Sequence, residues 1–347
     1  MEIRNIGETE KEPWNRFVEE HYPPVGAFMQ TWEWGTFQEA LGRKIERYFL
    51  GSADKPEAAF TLVHRSPASW FSYGYIPRGP VIAEQNRGGD ARATELFKLI
   101  GSWARQKFPH LAFLRMEPPL ASFVSNPRAH GLFTPSYYIQ PRYNLAVSLE
   151  GNVADIPATF HPTTRSNLHR AEKRGVTVEL KTDLTEGEFK EFLGMVRDTI
   201  DRNDGKKIYP SPSYFRSLIE TTAKNTEADS PHNLSLGIFY GYQNGEPAAA
   251  NFVLFFGNTA TYLYGASHTK HLSSKVTTYL HWVAMQEAKK RGFCFYDLGG
   301  IDDVRWPTLT DFKRQFGGTE FRYIGNIDVP IRPLLHRGYN FLRALKQ

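Results

Sequence analysis

Thr261-Tyr262-Leu263-Tyr264-Gly265-Ala266-Ser267, a helix-like run, Phe293-Cys294-Phe295-Tyr296-Asp297-Leu298-Gly299-Gly300-Ile301, and Asp311-Phe312-Lys313-Arg314-Gln315-Phe316-Gly317-Gly318 follow one another near the end of the chain, and their order decides the fold. The first string reads as a strand. In the run after it, Val276, Tyr279, Leu280, Val283, Ala284 and Ala288 recur at three- and four-residue intervals. That is the stripe of a helix packed on a sheet, and Gly292 stops it. A second strand then ends in two glycines, with a lysine close behind. Together these parts are consistent with an acyl-transfer site.

Upstream, the same grammar is written once before. Lys44 to Gly51 has strand propensity, Ser52 to Pro56 is a turn cluster, and Ala58-Ala59-Phe60-Thr61-Leu62-Val63 completes a hairpin. The later hairpin runs from Leu236-Gly237-Ile238-Phe239-Tyr240-Gly241-Tyr242 through Asn244-Gly245 to Pro247–Phe256. Asn-Gly is the stronger turn signal, because a type I′ turn needs positive φ at both central positions. An aromatic strand ending in glycine follows each hairpin, Trp70-Phe71-Ser72-Tyr73-Gly74-Tyr75 in the first copy and Thr261 to Gly265 in the second. In the first copy a helix from Ala91 to Lys107 leads into Leu111-Ala112-Phe113-Leu114-Arg115-Met116-Glu117. The offset of roughly 185 residues fits duplicated domains, not a solenoid. A mixed sheet with a helix crossing back to a further strand is an α/β arrangement whose ligands gather where strands splay apart. This order resembles the GNAT acyltransferase fold, so two tandem GNAT-like domains are expected. The Arg/Gln-x-x-Gly-x-Gly/Ala loop that holds acyl-CoA pyrophosphate is missing; the nearest string, Arg87-Gly88-Gly89-Asp90, lacks the spacing.

Composition is consistent with this reading. A chain of 347 residues predicts two domains, and 41% hydrophobic with 14% aromatic residues can fill a substantial core. A charged fraction of 23% argues against disorder. Lysine and arginine exceed aspartate and glutamate by 42 to 37, a weak sign of a polyanionic partner. The densest basic run, Arg165 to Arg174, reads as a helix from an N-cap at Thr163 or Thr164 to Gly175, either a solvated face or a phosphate or nucleic-acid contact. The single cysteine, Cys294, sits between two phenylalanines and is expected to be a buried structural thiol. The first eight residues lack the apolar core of a signal peptide, and nowhere do about 18 apolar residues run together. A cytoplasmic protein is expected, with peripheral contact at the inner face of the plasma membrane left open. His268 and His271 have no partner at a zinc-like spacing, so no metal is expected. A Gly-x-Ser-x-Gly elbow is also missing, which argues against a Ser-His-Asp hydrolase.

The series also resembles the FemABX family of peptidoglycan aminoacyltransferases across most of the chain. Gln30-Thr31-Trp32-Glu33-Trp34-Gly35, the Arg165-to-Gly175 helix, Tyr214-Phe215, Tyr262 to Ser267, Asp297 to Ile301 and Phe312 to Gly318 occur in family order. The segment from Thr185 to Ser235, broken by prolines at 210, 212 and 231, is too short for the long helical arm of some members, so the chain resembles the compact, FemX-like ones. The resemblance implies a first domain of residues 1–146 completed by 319–347, on the precursor side, and a second of 147–318, on the aminoacyl-tRNA side. It implies transfer of an amino acid from aminoacyl-tRNA to an amine in the stem peptide of a muramyl pentapeptide precursor, nucleotide- or lipid-linked. No cofactor is required, since the ester carries the activation energy.

Within that resemblance, Lys313 is the cation expected to stabilise the developing oxyanion, against the plainer reading of a surface lysine. Phe312 would offer the acceptor end a stacking surface or would be core, and Arg314 and Arg170 would meet tRNA. Glu117 matches a family aspartate near the attacking amine; its alternative is an ion pair with Arg115 on the same strand face. Asp297 would cap the turn before Gly299-Gly300. Tyr214, Tyr262 and Tyr264 match groove-lining aromatics, and Tyr262 and Tyr264 should share a strand face by the period of two, where core packing competes. The family's diphosphate-gripping lysine reads Gln38 here, leaving Lys44, Arg165, Lys206 or Lys207 as substitutes. Two other readings stay open: a GNAT-type N-acyltransferase using acyl-CoA or another donor, and a non-catalytic precursor- or nucleic-acid-binding protein. No interface stripe stands out, so a monomer is favoured.

Overall fold

A computed structural model describes residues 2–23, 25–52, 54–83, 90–121, 127–135, 137–203, 205, 209–223 and 232–344. The chain divides into two compact units, one of Met1–Pro23, Met29–Tyr143 and Phe321–Gln347, the other of Pro24–Phe28 and Asn144–Glu320. Lys206, Lys207 and the Arg87-Gly88-Gly89 string lie outside the described residues.

The first unit opens with β1 (Ile3–Asn5), α1 (Lys11–His21), α2 (Trp32–Ala40), β2 (Ile45–Gly51), β3 (Pro56–Ala68), β4 (Phe71–Ile76), β5 (Val81–Ile82), α3 (Asp90–Lys107) and β6 (Phe113–Met116). In the second unit come β7 (Tyr143–Ser148), α4 (Pro162–Lys173), β8 (Val176–Lys181), α5 (Glu186–Arg202), α6 (Pro212–Thr222), β9 (Ser235–Gln243), β10 (Glu246–Phe256) and β11 (Thr259–Ser267), then α7 (Val276–Lys290), β12 (Phe295–Ile301), α8 (Pro307–Arg314) and β13 (Thr319–Arg322). The chain then returns to the first unit with β14 (Ile327–Pro330) and α9 (Pro333–Ala344).

Each unit is built on one mixed sheet, ordered β1-β2-β3-β4-β6-β14 with β5 beside β3, and β13-β7-β12-β11-β10-β9-β8. Both predicted hairpins form, and at the β9–β10 turn Asn244 (φ 52°) and Gly245 (φ 81°) take the left-handed conformation that a type I′ turn requires. Val276, Leu280, Ala284 and Ala288 of α7 are wholly buried in the core of the second unit. In the first unit Leu96, Phe97, Ile100 and Ala104 of α3 pack on Tyr48, Phe60 and Leu62.

The segment resembling the family's N-terminal signature is a brace. Thr31 Oγ1 caps α2 by accepting from Trp34 N at 3.2 Å. The fully buried Gln30 accepts from Thr61 N at 2.9 Å and donates to Pro77 O.

Several expectations need correcting. The basic helix α4 begins earlier than Thr163: His161 is its N-cap, with Nδ1 accepting from Thr163 N at 3.3 Å, and Pro162 opens the first turn. Proline there lacks only an N–H the helix would leave unpaired anyway. Cys294 is half-buried, just before β12 begins. By contrast, the segment between Thr185 and Ser235 is as expected: its described residues form two helices, α5 and α6, packed on β9, β10 and β11, with no long arm among them.

Candidate active site

In the second unit, β11 and β12 run parallel and pair only at Thr259–Phe295, Ala260–Tyr296 and Thr261–Asp297, although the strands continue to Ser267 and Ile301. Beyond that point they part, and the gap is where the candidate chemistry gathers. On the other side of β11 the register with β10 slips: Phe252 faces Tyr264, Val253 faces Tyr262, and Leu263 has no opposite residue. This bulge adds one residue and resets the alternation. Tyr262 and Tyr264 therefore turn to different neighbours instead of sharing a face. Tyr264 packs against Tyr214, with the hydroxyls 3.3 Å apart, and against Phe215. Tyr262 lies against His281 of α7, ring centroids 4.6 Å apart.

Lys313, in the last turn of α8, is 5% exposed, and its Nζ donates to Gly300 O at 2.7 Å. The surface-lysine reading is thus excluded. Burial pushes its amine down to about 8, opposed by the charge of Asp297. Beside it Gly299, at φ 80°, takes the left-handed conformation that favours glycine, and a Cβ there would make only ordinary contacts with Tyr262 O and Lys313 Nζ, at 3.4 and 3.6 Å. Asp297, fully buried, accepts from Gly299 N at 2.7 Å and from Asn144 Nδ2 at 2.9 Å, so its turn-capping role is confirmed and it also anchors β7.

His281 was not singled out from the sequence. It is buried on the inner side of α7, its ring nitrogen 3.0 Å from Tyr296 Oη, and burial, then Lys313, push it down to about 3. It is neutral at working pH, so Lys313 is the cation of this pair. A histidine on an apolar helix stripe was the available signal. Phe312 is half-buried against His281 and Phe316, centroids 5.7 and 5.4 Å away, which favours packing over a free stacking surface.

The remaining candidates are spread. Arg314 is paired to Asp303 and Glu320, Arg165 donates to the carbonyls of Ala158 and Phe160, and Arg170 lies exposed on α4. In the first unit Gln38 is buried and accepts from Arg43, while Lys44 is exposed and paired to Glu46 at 2.8 Å.

Glu117 is also in the first unit, 3% exposed, just beyond the end of β6. Its carboxylate accepts from Tyr75 Oη at 2.6 Å, Gln140 N at 3.1 Å and Arg78 N at 3.5 Å. Burial raises its pKa, against the pull of Tyr75 and Arg78. The alternative ion pair with Arg115 does not form. Arg115 is fully buried in a two-pronged pair with Asp328, at 2.6 and 2.7 Å. Glu117 lies past the strand, so the strand's alternation does not carry to it.

Among the described residues no cluster of three or more metal-ligating side chains occurs, and no helix is long and apolar enough to cross a membrane.

Comparison with known proteins bears on the fold and the family resemblance. The FemAB family model matches residues 238–344. The chain is 22% identical to the lipid II:glycine glycyltransferase of Staphylococcus saprophyticus over 92% of each chain, and 21% identical to that of Staphylococcus aureus strain MW2 over 92% of this chain and 91% of that one. Its fold is similar to the crystal structure of FemX, with a TM-score of 0.79 at 19% identity over 98% of this chain and 100% of that one. A tandem GNAT protein from the clavulanic acid biosynthesis pathway matches with a TM-score of 0.55 at 11% identity, over 95% and 98%. The family resemblance and the tandem GNAT-like architecture are both borne out.

Proposed function

We propose that this chain is a tRNA-dependent aminoacyltransferase that moves an amino acid from aminoacyl-tRNA onto the side-chain amine in the stem peptide of a peptidoglycan precursor. The observation that carries the reading is the buried ammonium of Lys313 at the parting of β11 and β12. Relatives that are lipid II:glycine glycyltransferases support the acceptor class and favour its lipid-linked form.

The reaction is aminolysis of an ester. The amine nitrogen attacks the carbonyl carbon, a C–N bond forms, and negative charge builds on the carbonyl oxygen. Lys313 Nζ donates to that oxygen where little water screens the interaction. As the tetrahedral intermediate collapses, the C–O bond to the ribose breaks and the ribose oxygen takes up a proton. We assign the proton of the attacking amine to water, because Glu117, the base expected from the sequence, already serves Tyr75, Arg78 and Gln140. The diphosphate of the precursor is not assigned to Gln38, whose amide is buried against Arg43.

An acyl-CoA donor is disfavoured by the sequence, which lacks the glycine-rich loop that would hold its pyrophosphate.

The test is single-turnover transfer of radiolabelled amino acids from a mixed pool of aminoacyl-tRNAs to nucleotide-linked and lipid-linked muramyl pentapeptides. Transfer that collapses in Lys313→Ala establishes the reaction and identifies donor and acceptor. Folded wild type that transfers to neither acceptor, or a variant that transfers equally well, overturns the proposal.

A further inference from the structure

Four of the five most exposed large apolar side chains among the described residues lie in the first unit: Leu334 at 82%, Trp70 at 71%, Phe341 at 65% and Leu342 at 58%. Such side chains scattered singly need no explanation, but a group of them does. Three belong to α9: Leu334 and Phe341 lie opposite Leu335, His336 and Tyr339, which turn inward, and Leu342, one heptad after Leu335, is exposed at the edge of that inner face near the helix end. Trp70 joins them at the turn between β3 and β4. Its ring lies 5.7 Å from that of Phe71, which stacks on Tyr339 of α9 at 5.1 Å.

Charge in this corner has one sign. Residues 329–344 carry Arg332, Arg337 and Arg343 and no aspartate or glutamate, and residues 58–83 around Trp70 carry no carboxylate either. All three arginines are exposed and none forms an ion pair among the described residues, although the Arg343 guanidinium lies over the Tyr137 ring, 5.2 Å from its centroid.

We propose that this face docks the protein onto an anionic lipid bilayer. The outer edge of α9 and the Trp70 turn would enter the headgroup region, with the arginines on lipid phosphates. An amphipathic helix with apolar side chains on one face and basic residues beside them lies in the plane of the interface. Tryptophan settles at the same depth, and arginine grips phosphate with two parallel donors. RNA would satisfy the arginines equally well. It would leave Leu334 and Leu342 in water, since bases stack on aromatic rings and not on aliphatic branches. The docking face stands whatever the chain transfers; if the acceptor is lipid-linked, it would bring the enzyme to the surface where that acceptor lies.

The experiment is co-sedimentation of the full chain with phosphatidylcholine vesicles, with and without phosphatidylglycerol. Wild type should sediment with the anionic vesicles and hardly at all with the neutral ones. Arg332→Glu combined with Arg337→Glu should weaken anionic binding about tenfold or more. Phe341→Ser combined with Leu342→Ser should weaken it similarly at unchanged charge. All four positions are exposed, so thermal melting should be unaltered and a loss of binding is not a loss of fold. No sedimentation with anionic vesicles at low salt overturns the proposal, and so does wild-type binding in either double variant. Retention of bulk tRNA in place of vesicles, lost only in the arginine variant, would overturn it in favour of an RNA-binding face.

Discussion

In the first unit the parallel pair β4–β6 is stitched to its end: residues 74–76 face 114–116, and Glu117 N then donates to both Ile76 O and Gly79 O, at 3.2 and 2.9 Å. In the second, the corresponding pair β11–β12 parts after Thr261 and Asp297 and both strands run on. A carboxylate with three donors stands at the closed end, and a lysine with one acceptor reaches into the open one. The two copies of the grammar thus diverge at the far end of the parallel pair. A satisfied buried charge fixes a structure, whereas an under-coordinated one keeps hydrogen-bonding capacity for a ligand.

The largest effect should come from removing the reactive side of this contrast. Lys313→Ala should lower the single-turnover rate by about 100- to 1,000-fold, the usual cost of losing an oxyanion donor. Because the same lysine is a buried cation, Lys313→Met should raise stability in chemical denaturation while abolishing transfer. The folded amine sits near 8, below its ordinary 10.5, so between those values the unfolded chain binds more protons and stability rises with pH. The advantage of the methionine variant should therefore be full below pH 8, on the order of 3 kcal/mol at most, and fade above it.

The closed end is tested next. Glu117→Ala strands Tyr75 Oη and two backbone N–H groups and should cost about 3 kcal/mol in urea unfolding, with the rate of the remaining folded enzyme nearly unchanged. Glu117→Gln that keeps its stability but loses transfer would break the comparison, since it would make this carboxylate the base. A smaller effect distinguishes the units by pH. The wild-type rate should fall as pH rises through about 8 and the ammonium is lost, a limb absent from the residual activity of Lys313→Ala. Smallest of all, Tyr264→Phe removes one 3.3 Å hydroxyl contact with Tyr214 and should change stability by less than about 1 kcal/mol.

The features legible in advance were local. Asn244-Gly245 dictates its turn from backbone sterics alone, and the stripe of α7 needs only a helix and a sheet to explain it. Lys313 was visible only through family order; nothing in Asp311-Phe312-Lys313-Arg314 itself says that this lysine is buried and its neighbour Arg314 ion-paired at the surface. The faces of Tyr262 and Tyr264 were misread because a bulge is a property of two strands, and Leu263 carries no mark of it. Arg115 was given the wrong partner for a similar reason: a carboxylate two residues away is easy to see, and Asp328, 213 positions on, is not. His161 displaced the threonines as the cap of α4 because Pro162 sets where that helix begins.

That long-range pair also orders events during synthesis. The first unit's sheet lacks β14, and Arg115 lacks Asp328, until the whole second unit has left the ribosome. At typical elongation rates the gap is roughly 10–40 s, during which the second unit can fold while the first waits incomplete. The nascent chain would thus finish the half with the open strands before the half with the closed ones, and a chain stopped short of residue 327 would leave a buried arginine without its counter-charge.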